Sequence, residues 1–128
     1  MDERIIIYGA SDKELPNLID YLSTNLFDNN QGRFRYTQCK DADIIVISRD
    51  GLAYGHLIVE EKVSPTDEDI EDFPPAKCTY LISSSAVYEN PVKLYADLGI
   101  RVVAFGVNIT QEQFAEIQNR AGRITTHS

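Results

Sequence analysis

Tryptophan is missing from this chain, cysteine occurs twice, and positive charge is scarce: 12 Lys and Arg stand against 20 Asp and Glu. Each shortage excludes something. Cys39 and Cys78 lie far apart, without the paired spacing of a zinc site or a dithiol, so two buried, reduced thiols in the cytoplasm are expected. The net charge of −8 works against loose attraction to nucleic acid or to an anionic membrane, so any phosphate contact must come from a local basic patch. No apolar run approaches the roughly 20 residues that cross a bilayer, and no membrane partner is expected. Ile5–Ile7, behind Asp2, Glu3 and Arg4, is too brief for a signal-peptide core. Phosphate-loop and dinucleotide fingerprints are missing, since Gly9-Ala10-Ser11 after the first strand is too little. Ser83-Ser84-Ser85 lacks the glycines of a nucleophile elbow, and the acidic stretch 67–72 lacks the central Gly and closing Glu of a calcium loop.

What remains is the composition of an ordinary globular domain, 43% hydrophobic and 25% charged, with seven Tyr and five Phe for packing. Its 128 residues suffice for one core, so a single domain over 1–128 is expected, with 1–3 and 123–128 loose. Arg4–Gly9 is a β-branched run ended by glycine and reads as a buried strand. Leu15, Leu18, Ile19, Leu22 and Leu26 recur at helical spacing, predicting an amphipathic helix over 14–27. Gly32–Lys40 alternates, Asp43–Arg49 is nearly all apolar, and Asp50-Gly51 predicts a type I′ hairpin into a long return strand, Leu52–Val63. Gly55 within that strand signals a bulge or bend. A polar connection, Ser64–Pro75, leads to a strand at Thr79–Ser84. Asn90, Pro91 and Gly99 frame a two-turn helix, Ile100–Phe105 reads as a strand, and Thr110 with Gln113 makes a capping box for a last helix that Gly122 ends.

No helices separate the middle strands, which rules out a doubly wound parallel sheet. The expected fold is α+β: a bent, mainly antiparallel sheet or small barrel with flanking helices, Gly55 supplying the bend a barrel needs.

Two resemblances carry function. The stretch ADIIVISRDGLAYGHLIVEEK resembles the core of the PD-(D/E)xK nucleases, an α/β sheet. That resemblance implies Asp43 as metal-binding carboxylate, Glu60 as the second carboxylate and Lys62 as catalytic lysine, with Mg²⁺ as cofactor. The second covers more of the chain. Asp43–Ile47, Ala53-Tyr54-Gly55, Tyr80–Ser83, Asn90-Pro91-Val92-Lys93-Leu94, and Thr110, Glu112, Phe114, Ile117 follow one another as in the PUA-like superfamily, particularly its EVE and ASCH branches. It implies a PUA-like barrel that holds a single nucleobase, often a modified one, in a pocket, with no cofactor and no metal.

Gln31–Gln38 interleaves guanidinium, aromatic and amide groups; alternation puts Arg33 and Arg35 on one face and Phe34, Tyr36 and Gln38 on the other. Arginines suit phosphates, and aromatics suit a stacked base. Candidate ligand-binding residues are therefore Tyr8, Ser11, Arg33, Arg35, Tyr36, Gln38, Tyr54 and His56. The leading expectation is a module that captures a nucleic-acid base or a nucleoside, with no catalytic residue assigned. The alternatives are the metal-dependent nuclease and an acidic interaction or inhibitory module with a protein partner.

Overall fold

The computed structural model describes residues 3–10, 22, 33–36, 41–64, 78–102 and 106–127, with backbone only for 33–36, 78 and 127. Among the described residues seven strands and two helices follow in the order β1 (Ile5–Gly9), β2 (Arg33–Tyr36), β3 (Ile44–Arg49), β4 (Leu52–Val63), β5 (Cys78–Lys93), α1 (Leu94–Leu98), β6 (Val107–Ile109), α2 (Gln111–Arg120) and β7 (Ile124–His127). The helix expected over 14–27 lies outside the described residues except for Leu22, which is buried.

The strands form one open sheet in the order β2-β5-β4-β3-β1-β6, with β7 added alongside β5. This corrects the barrel. β1 runs parallel to β3 and antiparallel to β6, so the sheet is mixed, and its outer strands β2 and β6 do not pair with each other. The physical reason lies in the two buried faces. Ile5, Ile7, Ile44 and Val46 join Tyr88, Leu94, Phe114 and Ile117 in one apolar cluster, whereas Ile6, Ile45 and Ile47 join Leu22, Leu57, Tyr80 and Ile82 in another. Alternating residues of β1 and β3 thus serve opposite faces, and their unbroken isoleucine runs mark strands covered on both sides. A sheet with a core on each face has no lumen to close around.

The Asp50-Gly51 hairpin forms as its chemistry demands, with φ of 53° and 79° at the two residues. Gly55 is needed too, for close approach: a Cβ there would stand 2.2 Å from the Ala86 carbonyl oxygen. The ladders on both sides of β4 shift register beside it.

Three further expectations are corrected. Asn90 and Pro91 belong to β5, so α1 starts only at Leu94, and its N-cap, Lys93, offers no side-chain cap bond. Gly99 does end that helix, in the left-handed region at φ 68°. Ile100–Val102 form no strand, and the rest of that segment lies outside the described residues. The end expected to be loose instead forms β7, paired with Ser85–Tyr88. Thr110 and Gln113 make the anticipated capping box on α2.

Candidate functional site at the charged end of the sheet

The predicted residues fall at two separate levels of the sheet. Tyr8 pairs with Ile47, and Ile47 with Gly55, so Tyr8 and Tyr54 sit near the hairpin end of β3; both are half-buried. Positions 33 and 35 pair with Leu81 and Thr79, which pair in turn with Glu61 and Val63, at the opposite end of β4. At about 3.3 Å per residue, eight positions along the strand separate the two groups by roughly 25 Å. One small pocket cannot collect them all. Ser11 and Gln38 lie outside the described residues, and Arg33, Arg35 and Tyr36 are placed by backbone alone.

His56 is also set apart, in the core on the α2 face. Its Nδ1 lies 2.7 Å from the Tyr88 hydroxyl, and the Phe114 ring packs edge-on at 5.1 Å. Burial pulls the imidazole down to about 4 and pushes the Tyr88 hydroxyl well above its ordinary value. Neither group is displayed to a ligand, so the pair serves the core.

The charged residues do converge. Where β1 and β3 begin and β4 ends, Arg4, Asp41, Asp43 and Lys62 form one network. Asp41 Oδ2 is 3.2 Å from the Arg4 guanidinium, and Asp41 Oδ1 accepts a hydrogen bond from Lys62 Nζ. Asp43 Oδ2 accepts the Arg4 backbone N–H at 2.8 Å and lies 3.7 Å from its Nε. The Lys62 hydrogen bond, then the charges of Lys62 and Arg4, hold the Asp41 carboxyl below its usual value. Glu60 is the extra residue where β4 shifts register against β5, between the pairs Val59–Ile82 and Glu61–Leu81. That bulge sets the alternation for Lys62, which pairs with Tyr80; Tyr80 in turn pairs with position 34 of β2. The two arginine positions of β2 therefore lie at the same level of the sheet as Lys62, with β5 between them.

The residues of the nuclease alternative, Asp43, Glu60 and Lys62, share this end, where Asp43 is held by Arg4 and Lys62 by Asp41; among the described residues no three His, Cys, Asp or Glu side chains gather. Asp41 escaped the sequence reading, although the Asp41-x-Asp43 spacing places two carboxylates two residues apart at a strand entrance. Nothing local pointed to Tyr88 as the partner of His56, 32 residues away.

No family model, curated protein or solved structure matches this chain. Its chemistry has to be argued from the site alone. Among the described residues, no helix is long and apolar enough to cross a membrane.

Proposed function

We propose that the chain is a non-catalytic module that binds nucleic acid, or a nucleoside carrying phosphate, at the charged end of its sheet. The observation that supports this reading is the position of β2. Arg33-Phe34-Arg35-Tyr36 is an outer strand that pairs with β5, level with the end of β4 that carries Lys62 and one strand removed from it. Alternating arginine and aromatic positions on such a strand suit phosphate contacts beside a base-stacking surface. The compartment we assign is the cytoplasm, on the reduced-thiol reading of Cys39 and Cys78.

The test is fluorescence anisotropy with labelled single-stranded DNA and RNA, at several salt concentrations, with and without Mg²⁺ or Mn²⁺. Arg33→Ala/Arg35→Ala is expected to weaken binding about tenfold or more and to lower the salt slope by about two ions. Unchanged affinity in that variant refutes the site. Metal-dependent cleavage that is lost in Lys62→Ala refutes the non-catalytic reading in favour of the nuclease.

A further inference from the structure

His56, Tyr88 and Phe114 meet in the core where β4, β5 and α2 come together. In the β4–β5 ladder, Gly55 pairs with Val87 and Ala53 with Val92, so β5 swings away from β4 over Tyr88–Pro91. Across that excursion Tyr88 pairs with Ile124 of β7, Glu89 N–H donates to the Arg123 carbonyl and Asn90 N–H to that of Ala121. The Tyr88 hydroxyl nevertheless reaches back to His56 Nδ1 at 2.7 Å. On the other side Phe114, from α2, sets its ring at 83° to the imidazole. One neutral imidazole therefore joins β4 to the β5 excursion, to α2, and through β5 to β7.

Nothing described around the ring welcomes a positive charge. On β3 it pairs with Val46, and on β5 with Ala86. Among the described residues, Tyr88 is the titratable group that faces it. On α2, Glu112 and Arg120 are exposed and Glu116 is bonded to Arg120. On the β5 excursion, the Glu89 carboxylate accepts the Arg123 N–H, and the described side chains of β7, Ile124, Thr125 and Thr126, are uncharged. An imidazolium here would be a buried cation without a carboxylate, which is costly enough to drive a rearrangement. The other apolar cluster, around Ile6, Ile45, Ile47 and Leu57, lies across the sheet and does not include His56.

We propose that His56 is an acid-operated latch: its protonation releases α2 and β7 from the sheet while β1, β3 and the first half of β4 stay folded. The molecule then has two states below neutral pH, closed with α2 docked, and open with the apolar face around Tyr88 and Leu94 exposed.

Backbone amide exchange from pH 7 to pH 4, referred to the intrinsic rate at each pH, tests this alongside NMR titration of the His56 ring. Protection over 111–127 is expected to be lost first, falling about tenfold per pH unit below roughly 6.5, while Ile5–Ile7 and Ile44–Ile47 stay protected at every pH where 111–127 exchange freely. In His56→Met the fall should vanish. Three results would overturn the latch: protection retained throughout, simultaneous loss over the whole sheet, or a transition that survives in His56→Met. Should that variant fail to fold, the wild-type ring decides. A ring that stays neutral down to about pH 4 while protection over 111–127 already falls below roughly 6.5 supports the latch, and one that takes up its proton near 6.5 with protection retained rejects it.

Discussion

Arg4 and Asp43 clasp each other across the start of the parallel β1–β3 ladder. The Arg4 N–H donates to the Asp43 carboxylate at 2.8 Å, and the Asp43 N–H donates to the Arg4 carbonyl at 2.7 Å. A residue read from sequence as a metal ligand thus closes a pair of strands. The two roles separate by mutation. Asp43→Asn keeps an acceptor for the Arg4 N–H and should cost less than about 0.5 kcal/mol in urea unfolding, and Asp43→Ala about 1 kcal/mol, because the pair is solvent-accessible. A nuclease ligand would instead show lost cleavage in Asp43→Asn.

Gly55→Ala should be among the most harmful single-methyl additions to this fold. The new Cβ would meet the Ala86 carbonyl oxygen at 2.2 Å and the Leu22 side chain at 3.3 Å. Backbone, not a flexible side-chain tip, must yield, so a loss of about 2–3 kcal/mol is expected by chemical denaturation. Gly51→Ala, where nothing lies within 4 Å, strains only the positive φ and should cost about 1 kcal/mol.

Stability should fall with acid, and the sign follows from His56. Its folded value, about 4, lies below the ordinary 6.5, so the unfolded chain takes up the proton more readily. The contribution is complete above pH 6.5 and is lost as the pH falls through about 4, reaching about 3 kcal/mol at most. Urea melts of wild type and His56→Gln at pH 7 and pH 4.5 measure it: the gap between the two proteins should narrow at the lower pH. A gap of constant size would mean that the ring is not held neutral.

The capping box on α2 gives a fourth measurement. Thr110 Oγ1 accepts the Gln113 N–H at 3.1 Å, and Gln113 Oε1 accepts the Thr110 N–H at 2.8 Å. Thr110→Ala should lower stability by about 1 kcal/mol. It should also raise amide exchange over 111–120 without touching β1 or β3.

Residues whose partners sit within a few positions were legible beforehand. Asp50-Gly51 must turn, because positive φ at two successive positions leaves few alternatives. Thr110 and Gln113 announce a helix start, since both satisfy backbone groups in the same turn. The apolar runs of β1 and β3 state their burial. The start of α1 was misjudged because Asn90 and Pro91 have the right types for a helix entrance, yet the β5 backbone there bonds to the segment before β7. Tertiary pairing overrode a local signal.

By itself, then, the chain's order of residues determined its turns, its capped helix, its buried strands and its need for a small residue at position 55, all settled by backbone sterics and short-range hydrogen bonds. The tertiary structure alone decided that β1 slots in parallel beside β3, that the sheet stays open, and that Asp41 meets Lys62 while His56 meets Tyr88. Those partners lie 21 and 32 residues apart, and only the packing of two apolar faces brings them together.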